Sequence, residues 1–286
     1  MELDKTKQRQ QIERFIKKMP SLSTTVGKVM EICSRTDASP NELNKVISLD
    51  PVLTGQVLKL INSAYYSLLN KITSLTRAIT MLGMNTVKNM ALSTAIIRTV
   101  SSSNKSKVLP TSQFWQHSIG VGVSAKQLAI ACDLPIGERE EIFIAGLLHD
   151  LGKVPFGDEY IEVLNLARKE QRPLLEVEQE RMGIDHQEVG RMIAEKWKLN
   201  EVITCCVGNH HKVQDAPEAV RRQAAFVALG NMYINILDIG YAGDPFPDVT
   251  DMEDLLDIAE LSWQDYGAIG EDVEKEIEKA QIFLQI

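Results

Sequence analysis

Apolar residues along this chain recur every three or four positions in one stretch after another, the repeat of helices that each bury one face. Ile12, Phe15 and Ile16 sit among mixed charges over residues 7–18, which predicts a surface helix stopped by Pro20. Val26, Val29, Met30 and Cys33 mark a second helix over residues 25–33. Ser39-Pro40 then opens a third, because serine suits the N-cap and proline fits the first helical position; Leu43, Val46 and Ile47 form its stripe. Asp50-Pro51 repeats the device ahead of Leu53, Val57, Leu58 and Ile61. Leu75, Ile79 and Leu82 make a further stripe closed by Gly83, and a helix over about 86–100 follows. The polar, breaker-rich stretch at 101–110 predicts a boundary. Beyond it, helices are expected over 113–132, 138–151, 158–169, 174–182, 186–197, 200–211 and 217–238, with almost no strand-like alternation. The fold class is therefore all-α. Residues 243–250 are rich in Gly, Pro and Asp. Two terminal helices are expected after them, carrying Leu255, Ile258, Leu261 and then Val273, Ile277 and Ile282, with Glu271, Asp272, Glu274, Glu276 and Glu278 on a solvated face. The expected division is an N-terminal helical part, 1–103, a helical core, 111–242, and an acidic helical tail, 243–286.

With 44% hydrophobic and 24% charged residues among 286, the chain can build a large core. Lys and Arg number 31 against 39 Asp and Glu, and the net charge of -8 gives no general attraction to nucleic acid or to an anionic membrane surface. A local basic pocket stays open: Lys71, Arg77 and Lys88 are either contacts for an anionic ligand or scattered surface charges. The opening MELDKTKQRQ lacks the apolar stretch of a secretory signal and no run of roughly 18 apolar residues occurs, so a cytoplasmic location is expected. Cys33, Cys132, Cys205 and Cys206 show no disulfide spacing and are expected to be reduced and mostly buried.

The chemistry concentrates in five histidines, His117, His149, His186, His210 and His211, each in a helical and partly apolar segment. Neutral imidazole and carboxylate bind divalent first-row metals, and a helical bundle can aim several at one interior point. His149-Asp150 closes the apolar run from Ile142 to Leu148, which places a carboxylate at the end of a buried helix, where it needs a cation. Cys206 and His210 stand at i, i+4 and make half of a zinc site, but no second pair completes it, so a core cysteine is preferred. Asn62-Ser63 with Tyr65-Tyr66 is either a binding patch or a helix end whose polar groups bond the main chain and whose rings are packed.

The order His117, His149-Asp150-Leu151-Gly152-Lys153, His186 and His210-His211 resembles the HD superfamily, and within it the HD-GYP phosphodiesterases. That resemblance implies a multi-helix bundle and one or two divalent ions (iron, manganese, nickel or zinc) on His117, His149, Asp150, His186, His210 and His211. It also implies that Lys153 matches the lysine near a scissile phosphate, so that Asp150 and Lys153 are the catalytic residues in a hydrolase. Asn231 stands where the family closes with an aspartate, and Gln113 where three-metal members carry a glutamate; both are candidate supports of the ligands. The Gly-Tyr-Pro segment is replaced by residues 212–217.

Leu22, Asp50-Pro51, Leu53, Asn62-Ser63-Ala64-Tyr65-Tyr66, Ile72, Ala78-Ile79 and Leu82-Gly83 resemble the signature of the HDOD family, helical output modules of bacterial signalling proteins, over about residues 20–240. The resemblance implies an N-terminal HDOD subdomain on an HD-like metal-binding core, acting as a stand-alone regulatory module with a protein partner. The alternative is a metal-dependent phosphohydrolase acting on a nucleotide or another phosphoester. Loss of the carboxylate at Asn231 favours binding without turnover.

Overall fold

The computed structural model describes residues 5–103, 108–244 and 252–285, with main chain alone at 102, 103, 271 and 272. Its N-terminal helices begin where a side chain satisfies the free amides of the first turn. After α1 (Lys5–Lys18), the Ser23 hydroxyl accepts the Val26 N–H to cap α2 (Thr24–Ser34). Ser39 and Glu42 form a reciprocal capping box on α3 (Pro40–Ser48), and the Asp50 carboxylate accepts the Leu53 N–H at the head of α4 (Pro51–Ile61). Ser74 caps α5 (Leu75–Leu82), and Gly83, at φ 85°, turns the chain into α6 (Met84–Ser103). The three serines of the expected boundary continue that helix, since no proline or glycine breaks it before Pro110; residues 104–107 lie outside the described residues.

The second half comprises α7 (Thr111–Ala131), α8 (Ile136–Leu148), a 3-10 turn at Leu151–Lys153, α9 (Tyr160–Glu170), α10 (Leu174–Met182), α11 (His186–Lys196), α12 (Glu201–Asn209) and α13 (Glu218–Ile236). Three terminal helices follow rather than two: α14 (Met252–Ala259), α15 (Trp263–Ala268) and α16 (Gly270–Ala280). The extra break comes from Ser262, which forms a capping box with Asp265 and restarts the chain at α15. On α16, Val273 and Ile277 face inward while Glu274 and Glu278 are exposed; the side chains of Glu271 and Asp272 lie outside the described residues. No strand occurs among the described residues.

α7 lies against both α8 and α13, and α12 bridges α8 and α13. α7 and α8 come close because glycines face each other: a Cβ on Gly146 would sit 2.7 Å from the Gly122 Cα. α6 joins the halves by packing on α2, α4 and α5 and also on α8, and one hydrophobic core runs through both.

The Asn62–Tyr66 segment is a packed junction. The Asn62 amide donates to Leu58 O and Ile72 O and accepts the Ile72 N–H, each at 2.7 Å, so it brackets the loop before α5. Lys126 Nζ lies 2.6 Å from Glu140 Oε1 and 4.5 Å from the Tyr65 ring centre, and it donates to the Tyr65 hydroxyl at 3.1 Å. Tyr66 donates to Glu140 Oε2 at 3.2 Å. Phe283, from beyond α16, closes the cluster, with its ring centre 5.5 Å from Tyr65 and 5.1 Å from Phe143. All four cysteines are free, and Cys206 is fully buried. Truncating Phe283 to alanine leaves a void against Tyr65 and Phe143, and should cost about 3–5 kcal/mol, measured as a lower urea midpoint.

Candidate metal centre

Four segments deliver the histidines and Asp150 to one interior point. His117 projects from the second turn of α7, and His149 with Asp150 follows the end of α8. His186 opens α11 behind the Asp185 cap, and His210 with His211 follows the end of α12. The expected helix over 138–151 therefore ends at Leu148, and the tighter 3-10 turn takes Leu151–Lys153. Gly152 makes this possible, because a Cβ there would fall 1.8 Å from the His186 carbonyl oxygen. Asp150 is 1% exposed and His149 and His186 are fully buried, while His211 is half-buried.

The Asp150 carboxylate stands between two sets of donors. Its Oδ2 lies 2.8 Å from Lys153 Nζ, 3.2 Å from His149 Nε2 and 3.9 Å from His117 Nε2. Its Oδ1 faces His186 Nε2 at 3.5 Å and His210 Nε2 at 3.7 Å. The potential ligand atoms of His117, His149 and Asp150 lie within 4.8 Å of one another, as do those of His186, His210 and His211.

Hydrogen bonds on the outer ring nitrogens decide where the protons are. His149 Nδ1 lies 2.8 Å from Gly146 O and His210 Nδ1 lies 3.1 Å from Val207 O. A carbonyl only accepts, so each Nδ1 carries a proton, and in the neutral ring each Nε2 then turns a lone pair inward. His186 Nδ1 donates in the same way to Glu178 Oε2 at 2.7 Å. The inner nitrogens of His186 and His210 are 3.2 Å apart. That spacing matches neighbouring donors on one ion with bonds of about 2.1 Å. Asp150 Oδ1, His149 Nε2 and His211 Nε2 are buried with no hydrogen-bond partner among the described residues. Converging lone pairs and an unpartnered carboxylate oxygen repel one another unless a cation lies between them, and this donor set fits one.

Electrostatics keeps the imidazoles of His117, His210 and His211 neutral. Burial, reinforced by His149, pushes His117 down to about 3 from its ordinary 6.5. Burial and the neighbouring imidazoles hold His210 and His211 well below the usual range. Burial would raise Asp150, but the Lys153 ammonium against its Oδ2 helps to hold the carboxyl well below the usual range.

The two donor sets are unequal. His117 Nε2 meets Asn231 Oδ1 at 3.1 Å, and Asn235 donates to that oxygen at 3.0 Å. Asn231 thus holds the His117 ring with a neutral amide, and the Lys153 ammonium already covers Asp150 Oδ2. The set of His186, His210, His211 and Asp150 Oδ1 contains no such competitor. Gln113 lies exposed one turn before His117, and its main-chain carbonyl accepts the Tyr241 N–H at 3.0 Å.

Two supporting residues, Glu178 and Gln187, escape a reading of the sequence. Glu178, fully buried, accepts the His186 N–H at 3.0 Å as well as its ring proton, and it accepts the Tyr160 hydroxyl. Gln187 accepts the His211 N–H at 2.8 Å. Only the spacing of Leu174, Val177, Glu178 and Met182, one helix face, separates Glu178 from its exposed neighbours. Cys206 serves through its main-chain carbonyl, 3.3 Å from His210 Nδ1, and not as a ligand.

An all-helical bundle with a His-Asp doublet at a helix end and further histidines from three other segments defines an HD-type core. The family model of the HDOD domain matches residues 19–213, and the chain belongs to the HDOD domain family. It is 26% identical over 227 residues to an uncharacterized protein of Treponema pallidum (strain Nichols), covering 77% of this chain and 43% of that protein, so the chain spans less than half its relative's length. An HDOD domain protein of unknown function from Geobacter sulfurreducens superposes with a TM-score of 0.78 at 23% identity, covering 98% of this chain and 99% of that one. A Shewanella amazonensis SB2B protein provisionally named a phosphohydrolase gives 0.71 at 20% identity, covering 96% and 98%. Both likenesses establish the shared fold. Among the described residues, no helix is long and apolar enough to cross a membrane.

Two outcomes follow. Below pH 6.5 an unfolded chain takes up protons that the folded His117, pushed down to about 3, refuses. Stability should therefore fall as the pH drops from about 6.5 towards 3, and His117→Gln should flatten that slope. Gly152→Ala should displace α11 and lower metal affinity at least tenfold by equilibrium dialysis, roughly the effect of losing a supporting contact.

Proposed function

We propose that this chain is a regulatory output module whose HD-like core holds a divalent ion, chiefly through His186, His210, His211 and Asp150, and whose N-terminal helices engage a protein partner. The observation that carries the reading is the set of inward lone pairs around Asp150 Oδ1, left without a partner among the described residues. A nitrogen-rich donor set suits iron, nickel, zinc or manganese better than magnesium or calcium. When bound, the ion supplies positive charge and Lewis acidity. The chain's own residues do the rest: Glu178 orients His186, Gln187 fixes the His211 main chain, and Lys153 neutralises the second oxygen of Asp150. Such an ion ties α11 and α12 to the turn after α8, and so to the helix on which α6 rests. Binding energy of this kind appears directly as folding energy.

Two features favour binding over turnover. Asn231 brings a neutral amide where the resembling hydrolases bring a carboxylate, which weakens the set around His117. The cavity of about 340 Å³ that reaches His210 and His211 is also lined by Glu176, Asp215 and Asp244 against one lysine, Lys212, an acidic balance that disfavours an anionic phosphoester. The second reading, a metal-dependent phosphohydrolase, is supported by that same cavity, since it gives a small substrate a route to two of the histidines.

Metal analysis after reconstitution with iron or manganese should give about one ion per chain, lost in His186→Ala, with no hydrolysis of bis(p-nitrophenyl) phosphate. A stoichiometry near zero overturns the metal reading. Metal-dependent hydrolysis that disappears in Asp150→Ala replaces the regulatory reading with the hydrolase.

A further inference from the structure

A second cavity, of about 940 Å³, opens where α2 and α6 meet the segment from Trp197 to Ile203. Its size falls within the roughly 300–1,000 Å³ of small-molecule sites. Leu22, Met30, Leu92 and Ile203 supply apolar wall from three separate parts of the chain. The charge around it is one-sided, with Lys28, Lys88 and Lys198 against the single carboxylate of Glu31. Lys88 is half-buried in the wall, and none of the three lysines has an ion pair among the described residues. Of the cations that the sequence left open, Lys71 and Arg77 are simply exposed.

One further feature bears on the room available to an occupant. Gly27 borders the cavity in the first turn of α2, where an added Cβ would meet no atom within 4 Å and φ is not left-handed. Neither packing nor backbone calls for glycine there, and the missing side chain leaves room at this edge of the cavity. On α6, Asn85 lines the cavity.

We propose that this cavity binds a small amphipathic anion: an apolar chain or ring lodged between Leu22, Met30, Leu92 and Ile203, with its charged group on Lys88. An apolar body matches the wall, and a negative head matches the lysines. A neutral lipid would leave Lys88 unpaired, and a cation would be repelled.

Dodecanoate, dodecanol and dodecyltrimethylammonium, each below its micelle concentration, serve as probes of equal chain length and different charge. Binding is followed through the fluorescence of Trp197, which lines the cavity. Dodecanoate should bind saturably at one site and more tightly than either analogue. Gly27→Phe, whose ring grows into free space, should abolish binding while the melting temperature is retained; Gly27→Met is the fallback should the larger ring perturb folding. Lys88→Gln should weaken dodecanoate about tenfold and leave dodecanol unchanged. The proposal is overturned if dodecanoate shows no saturable binding, if the ammonium probe binds equally well, or if a folded Gly27 variant binds as the parent does.

Discussion

A carboxylate buried among unprotonated imidazole nitrogens is the constraint around which this core is organised. Asp150 cannot shed its charge easily, because Lys153 helps to hold its carboxyl low, and it cannot reach water, because it is 1% exposed. The rings around it have placed their protons outward on Gly146, Val207 and Glu178. What remains inside is negative charge and lone pairs, and Lys153 answers only one of the two carboxylate oxygens. The glycines at 122, 146 and 152 follow from the same demand, since each removes a side chain that would hold apart the segments bringing these groups together.

Much of this was legible in the sequence, for reasons that differ along the chain. The all-α class rests on long stripes of three-and-four spacing, and the caps at Ser39 and Asp50 announce themselves through the prolines that follow. The candidate metal ligands are visible because histidine is rare here and His149-Asp150 ends an apolar run. Helix ends were less visible. The break after Leu148 depends on the contact between Gly152 and His186, which lies across the fold. The six residues of α15 are too few to show a period, so the terminal segment appeared as two helices instead of three. Of the two readings of Asn62 the helix end bonded to main chain is the one found, but only its Leu58 partner is local; the other is the main chain of Ile72, ten residues on.

Glu178 shows where a charged residue hides. Set among Glu176 and Glu180, it looks like another solvated acid, yet it lies on the apolar face of α10 and fixes both the main chain and the ring of His186. The second cavity was equally invisible, since it is assembled from α2, α6 and the approach to α12. The helices that supply His186 and His210 also reach this cavity at their opposite ends, through Trp197 and Ile203, so the two regions share rigid elements.

Anomalous scattering from crystals grown with manganese tests the central claim directly, because it locates the ion without reference to any activity. The account predicts one strong peak bounded by His186 Nε2, His210 Nε2, His211 Nε2 and Asp150 Oδ1. An empty interior, with a proton bridging His186 and His210 at their present separation, would contradict it.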